Sequence, residues 1–475
     1  MFVKAQTIER ATMTIPDTIW RQYDIRGVYP YEVNSHVAEQ VGRAFGTVIR
    51  RGGGKRVVVA CDARLSSPEL RPATIAGIRS TGVDVTDLGM VPTPVMYFGV
   101  LHCKYDGGIV VSASHNPPQY NGFKSRAYAR SFFGDDIQAF AQMVRDGDFE
   151  SGTGALDTLD VGPVYVDYIR STLSLAKRLK VVVDAGNGAS GPLAMRVFEA
   201  LGCDVVPLFC EPDGNFPNHI PDPTVPENMI ALRDKVLAEK ADIGLGLDGD
   251  GDRVAAMTAS GELLWGDRML AILAESVLRD QPGPIVFDVK CSRALIERIE
   301  QLGGEPVMWK TGYPLLQAKM RETGAKLAGE MSGHMYFADR YYGFDDGTYS
   351  GARLVEIVSN ATVNLDTMVD ALPTYPSTPE FRLHCDEKAK FGVLPTIASR
   401  LPKTYDAITV DGVRFGTPRG WGLLRVSNTE PAIVARFEGK ENADLLEIIA
   451  DALEMLDGLP VDVSPIGKFT ASVSG

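Results

Sequence analysis

Lys180-Val181-Val182-Val183-Asp184-Ala185-Gly186-Asn187-Gly188-Ala189-Ser190-Gly191 reads as a β-branched strand, a turn of small and polar residues, and the start of a helix. The same order recurs where Arg56–Cys61 precedes Asp62–Ser67 and where Ile285–Phe287 precedes Asp288–Ser292. Strands alternating with helices predict α/β units on largely parallel sheets, whose ligands gather at the carboxyl ends of the strands. Motifs just after a strand therefore carry the functional interest.

Three such units follow one another, with boundaries expected near Thr158, Gly261 and Pro373, giving units 1–158, 159–261 and 262–373. The last stretch, 374–475, reads differently. Short strands around Ala407–Val413, Gly422–Val426 and Ile433–Glu438, then a helix from Asn442 to Leu456, predict a small α+β unit. A chain of 475 residues is too long for one core, since domains split beyond about 250–300 residues. With 45% hydrophobic and 23% charged residues, each unit has the apolar material to bury its own interior.

Six cysteines without a Cys-x-x-Cys pair indicate neither a zinc ribbon nor a disulfide framework. A formal net charge of −13 argues against a nucleic-acid partner, although a local cluster of Arg and Lys can still bind a small anion. No apolar run approaches the ~18 residues of a membrane span, and Met1–Pro16 lacks a signal-peptide pattern. A cytoplasmic protein acting on a small molecule is expected.

The most informative string is Asp248-Gly249-Asp250-Gly251-Asp252-Arg253, after the apolar Ile243–Leu247. Carboxylates at i, i+2 and i+4 face one side of an extended segment, and the glycines let the backbone curl until all three meet one cation. An EF-hand loop is excluded, because Arg253 and Ala259 stand where it requires Gly and Glu. Three protein carboxylates leave Mg²⁺ open positions for phosphate or water, which suits phosphoryl transfer. Arg253 then sits at the edge of the site, able to hold a phosphate oxygen or to pair with the aspartates.

Ser112-Ala113-Ser114-His115-Asn116-Pro117-Pro118 follows the strand-like Gly108–Val111 and runs on to Lys124. Two prolines and Asn121-Gly122 suit an ordinary loop equally well. Adjacent side chains of an extended segment point apart, so His115 is expected to be badly placed to deprotonate Ser114. Lys124 is a candidate general acid or base, with a pKa that neighbouring cations would lower, or else a phosphate contact. Arg425-Val426-Ser427-Asn428-Thr429-Glu430-Pro431 combines a guanidinium, hydroxyls and an amide after a strand, a set that suits a phosphate monoester or a plain polar turn. Gly329-Glu330-Met331-Ser332-Gly333-His334 offers partners for sugar hydroxyls. Gly186–Gly191 also matches G-x-G-x-x-G, but Asp184 at the strand end would disfavour a dinucleotide pyrophosphate.

Taken together, these strings resemble the α-D-phosphohexomutase family across almost the whole chain. Ser112–Lys124 resembles its phosphoserine loop, Asp248–Arg253 its magnesium loop, Gly329–His334 its sugar-selecting loop and Arg425–Pro431 its phosphate-binding loop. Tyr23-Asp24-Ile25-Arg26-Gly27 and Asp288-Val289-Lys290-Cys291 resemble two further motifs whose Arg and Lys face the active site. The resemblance implies four domains round a central cleft, three related α/β domains with mixed sheets and a last one of the TATA-binding-protein type. It implies Ser114, Lys124, Arg26 and Arg253 as catalytic residues, and Mg²⁺ on Asp248, Asp250, Asp252 and Ser114. Tyr23, Lys290, Gly312, Glu330, Ser332, His334, Arg425, Ser427, Asn428 and Thr429 would bind substrate. A phosphoryl group would move between O1 and O6 of a hexose phosphate through glucose 1,6-bisphosphate or mannose 1,6-bisphosphate.

Glu330-Met331-Ser332 and Ser427-Asn428-Thr429 resemble the branch acting on glucose and mannose phosphates rather than the glucosamine branch. One departure is Tyr313, where many relatives carry His after Thr311-Gly312. Competing readings are a phosphoglucosamine mutase, a metal-dependent sugar phosphatase and a non-catalytic binding protein. The expected partners are hexose phosphates, with neither nucleic acid nor membrane, and the expected assembly is a monomer or weak homodimer.

Overall fold

The computed structural model describes residues 15–128, 130–386, 388–427 and 431–473. Its strands, in chain order, are β1 Ile25–Val28, β2 Arg56–Cys61, β3 Asp84–Met90, β4 Gly107–Val111, β5 Tyr120–Ala127 and β6 Leu156–Thr158 in a first sheet. A second sheet holds β7 Lys180–Asp184, β8 Asp204–Leu208, β9 Ile243–Leu247, β10 Val254–Thr258 and β11 Leu263–Leu264. A third holds β12 Pro284–Asp288, β13 Glu305–Trp309, β14 Leu327–Gly329 and β15 Met335–Phe337. The last comprises β16 Phe381–His384, β17 Asp406–Ile408, β18 Val413–Thr417, β19 Gly420–Val426 and β20 Ala432–Gly439.

The first three sheets repeat one topology. Each has a central strand (β2, β7, β12) flanked by two parallel neighbours, and the later neighbour (β4, β9, β14) turns back into an antiparallel strand (β5, β10, β15). Val181, Val182 and Val183 have no exposed surface, as expected for a central strand covered on both faces. Burying each contributes about 1.5–3 kcal/mol relative to exposure. The sheet then releases the chain into the helix Gly191–Ala200, which carries Pro at its first turn, where the missing N–H costs nothing.

Each of the three sheets packs a cluster of its own on one side, around Val57 and Phe123, around Val182 and Leu232, and around Val286 and Leu316, while the other side joins a shared interior. One apolar cluster runs from Val58 and Val110 through Val181, Phe198 and Leu245 to Phe287, Val355 and Leu372. The helix Gly347–Asn360, late in the chain, packs against β9 and β10 of the second sheet. The second sheet also takes β11, which lies just past Gly261. The fourth sheet is wholly antiparallel and packs on Asn442–Leu456 around its own cluster of Phe415, Phe437 and Ile448. Where the sequence suggested one strand over Ala407–Val413, the chain instead breaks between β17 and β18, because Gly412 sits at φ +84° in the connecting turn.

Candidate active site

The shared topology places the sequence motifs at one equivalent position in each unit. The β4–β5 connection carries Ser114, β9–β10 carries Asp248–Arg253, and β14–β15 carries Glu330–His334. Each central strand also ends in a buried aspartate: Asp62 just past β2, Asp184 in β7 and Asp288 in β12. Asp288 accepts from Thr311 Oγ1 at 3.0 Å, Cys291 Sγ at 3.1 Å and Met331 N at 3.2 Å, so it ties three loops together.

At the centre, Ser114 Oγ donates to Asp248 Oδ2 at 2.7 Å. Lys124 Nζ donates to Asp250 Oδ2 at 2.7 Å and Asp252 Oδ2 at 2.5 Å, and Thr93 Oγ1 donates to Asp250 at 2.6 Å. All of these groups are buried. Oxygens of Asp248, Asp250 and Asp252 lie within 4.8 Å of one another, so the triad could hold a divalent metal ion. Asp250 Oδ1 and Asp252 Oδ1 are buried without a hydrogen-bond partner, which fits a cation site. Gly249 is required there, since a Cβ would come within 2.5 Å of Ser114 O.

The charges follow from this packing. Burial, with Asp252 and Asp250 beside it, holds the Asp248 carboxyl well above the usual carboxylate range. Burial pushes Asp250 up as well, but adjacent Lys124 outweighs it and holds Asp250 below that range. Burial alone would lower Lys124, but Asp250 and Asp252 raise it well above an ordinary lysine. The lowered pKa expected from the sequence is thus reversed, because the nearest charges are carboxylates rather than cations.

His115 also departs from expectation. Ser114 has φ +51°, so the segment is not extended, and His115 Nδ1 lies 3.1 Å from Ser114 Oγ. Burial, then Arg253, Arg26 and Lys124, lower the His115 pKa and keep the ring neutral. Arg26 bonds Asn116 and Asp24. Sequence reasoning missed Arg64, which has no exposed surface. Its Nη2 donates to Ser114 O at 2.8 Å and Asn116 O at 2.6 Å, and its Nη1 to Pro117 O at 2.7 Å and Tyr120 O at 3.0 Å. Asp62 fixes the guanidinium from behind at 3.1 Å. The only trace in the sequence is a charged Asp62-Ala63-Arg64 turn at a strand end.

Arg253 Nε donates to His334 Nε2 at 2.8 Å, and His334 Nδ1 lies 2.8 Å from Asp345 Oδ2. Glu330 accepts from Ser332 Oγ at 3.1 Å and Tyr336 OH at 3.2 Å. Tyr23 OH donates to Thr311 O and Tyr313 OH to Tyr23 O, both at 3.0 Å, while Gly312 leaves no room for a Cβ against the Tyr23 ring. Tyr313 also places its ring 5.7 Å from Lys124 Nζ. Lys290 pairs with Glu380 at 3.0 Å, and Arg425 Nε with Asp411 at 3.0 Å. Ser427 follows β19, its carbonyl held by Lys390 Nζ at 3.0 Å. Asn428 and Thr429 lie outside the described residues. The G-x-G-x-x-G loop serves another purpose than a dinucleotide: Ala189 N donates to Gly249 O at 3.1 Å, and Asp184 is engaged by His219 at 3.2 Å, so the loop supports the aspartate loop from beneath.

Four units, with a serine hydroxyl on a buried aspartate triad, define an α-D-phosphohexomutase, an enzyme of the isomerase class. The chain belongs to the phosphoglucomutase/phosphomannomutase family: residues 17–142, 163–261 and 265–375 match its alpha/beta/alpha domains I, II and III, and 380–455 its C-terminal domain. It is 46% identical to a phosphomannomutase/phosphoglucomutase of Pseudomonas aeruginosa, over 92% of this chain and 94% of that one. It is 39% identical to a phosphoglucomutase of Neisseria gonorrhoeae, over 92% and 96%. A crystal structure of a phosphoglucomutase/phosphomannomutase family protein from Burkholderia thailandensis superposes with a TM-score of 0.90 at 46% identity, covering 94% of this chain and 100% of that one. No described helix is long and apolar enough to cross a membrane.

Proposed function

We propose that the chain interconverts the 1- and 6-phosphates of mannose and of glucose, with Ser114 as the phosphate carrier. The observation that carries this reading is the 2.7 Å contact between Ser114 Oγ and Asp248, inside the cluster that also holds Asp250, Asp252 and Lys124. Ser114, Asp248, Asp250 and Asp252 would hold Mg²⁺. Bound there, the cation offsets negative charge on the transferring phosphoryl oxygens.

In the first half-reaction the bond from phosphorus to Ser114 Oγ breaks as a bond to a sugar hydroxyl oxygen forms. The hydroxyl proton leaves the sugar, and Oγ gains one. His115, neutral and 3.1 Å from Oγ, is placed to carry that proton. Lys124, whose ammonium bonds Asp250 and Asp252, acts as a charge, and Arg253 and Arg26 are near enough to His115 to act on its ring. Lys290, Arg425 and Ser427 hold the phosphate that does not react, assisted by Asn428 and Thr429. Tyr23, Gly312, Glu330, Ser332 and His334 position the sugar. The 1,6-bisphosphate turns round within the cleft and returns its other phosphate to Ser114.

The test is conversion of mannose 1-phosphate to mannose 6-phosphate, with and without a chelator and a trace of glucose 1,6-bisphosphate. The chelator should stop it, the bisphosphate should stimulate it, and Ser114→Ala should lose at least about 1000-fold in kcat. Steady release of inorganic phosphate would instead identify a phosphatase, and normal activity of Ser114→Ala would remove the serine from the mechanism.

A further inference from the structure

The region read above as the phosphate pocket is already neutralised by the protein itself. Two of its cations are Lys290, from the loop after β12, and Arg425, near the end of β19. Lys290 Nζ lies 3.0 Å from Glu380 and 3.9 Å from Asp288, and Arg425 Nε lies 3.0 Å from Asp411. Asp411 also accepts from Thr311 N at 3.1 Å, so one carboxylate spans the third and fourth units. The side chains of these five charged groups are at most 22% exposed, and the more exposed Arg382 also approaches Glu380 at 3.8 Å, so among the described residues three carboxylates face three cations. A pocket evolved only to grip a dianion would have no use for this arrangement. Close pairs at this burial are weakly screened, so a phosphate entering must compete with them.

On the reading that this pocket holds the non-reacting phosphate, we propose that Glu380 and Asp411 are exchange anions: they pair with Lys290 and Arg425 whenever the phosphate leaves, and so let the bisphosphate detach and turn. The physical requirement is specific. A bisphosphate that must reorient has to abandon its cations in mid-reaction, and two bare buried cations would make that departure costly. Carboxylates within reach keep them paired in both states. Burial pushes Glu380 up, but Lys290 outweighs it and holds it at about 2, so it is an anion under all working conditions. Neither carboxylate belongs to the motifs that carry the family resemblance. Glu380 lies just before β16 and Asp411 sits in the β17–β18 turn.

The proposal is tested with Glu380→Gln and Asp411→Asn, each checked by thermal melting for an intact fold. Calorimetric titration with inorganic phosphate should show binding tightened at least about threefold in either variant. In turnover, KM for glucose 6-phosphate should fall while kcat also falls, because the bisphosphate is held too firmly to turn. Two variants guard against one misfolding. Phosphate binding that is unchanged or weaker in a folded variant overturns the inference. A wild-type protein that binds phosphate more weakly than its variants, yet converts no hexose phosphate, would remove the mutase reading and leave the exchange intact.

Discussion

The first three units and the fourth are held in contrasting ways. From Val58 to Leu372 the three α/β units share one apolar core, so they behave as a single platform. The fourth has its own core and meets the platform through a small patch of Val289, Trp421 and Leu423. Around that patch the contacts are polar: Arg414 stacks 3.6 Å from the Trp421 ring and donates to Cys291 O at 2.8 Å, and Glu438 accepts from Trp421 Nε1 at 2.7 Å and Arg293 N at 3.0 Å. An apolar core resists any displacement, because every ångström of separation opens unfilled space. Directional polar contacts can be broken and remade as a set. On the proposed reading the chemistry lies in the part with the shared core, and Lys290 and Arg425, which would hold the distal phosphate, straddle its junction with the fourth unit.

The largest effect that could break this contrast is in the shared core. Leu245 in β9 lies so close to the helix Gly347–Asn360 that a Cβ on Gly351 would come within 2.9 Å of it. Leu245→Ala should cost about 3–5 kcal/mol and lower the melting of all three α/β units together, read by calorimetry. If only the second unit melted early, the platform would be a fiction. Arg64→Ala comes next, since it leaves the carbonyls of Ser114, Asn116, Pro117 and Tyr120 without their donor. It should lower kcat at least about 100-fold with little change in KM, by misplacing the serine. Trp421→Phe should act most mildly, keeping an aromatic face for Arg414 but losing the Nε1 donor to Glu438, a cost of about 1–2 kcal/mol. Its signature is a several-fold rise in KM and faster proteolysis between 373 and 380, with the main melting transition unmoved.

Legibility in the sequence followed the same division. The aspartate triad could be read directly, because its three carboxylates are neighbours in the chain and only local geometry is needed to bring them together. The α/β repeat was equally plain in its three β-branched runs. Arg64 was not legible, since its carbonyl partners lie some fifty residues away and only the sheet order brings them near. The placement of His115 was misjudged for a local reason: an extended loop was assumed where Ser114 adopts a left-handed backbone. Lys124 was misjudged for a global one, as its chain neighbours do not decide its charge environment. Glu380 and Asp411 gave no signal at all, because a carboxylate beside cations proposed to hold phosphate contradicts the pattern one looks for.

The continuous core also bears on how the chain is made. A ribosome delivers the second sheet long before the helix Gly347–Asn360 that covers it, because the whole third sheet is translated in between. At about 5–20 residues per second, strands β9 and β10 wait for seconds with an apolar face unclothed. Nascent chains of this protein should therefore depend on a holding chaperone until residue 372 has emerged, while the fourth unit, carrying its own interior, can close as soon as it is complete.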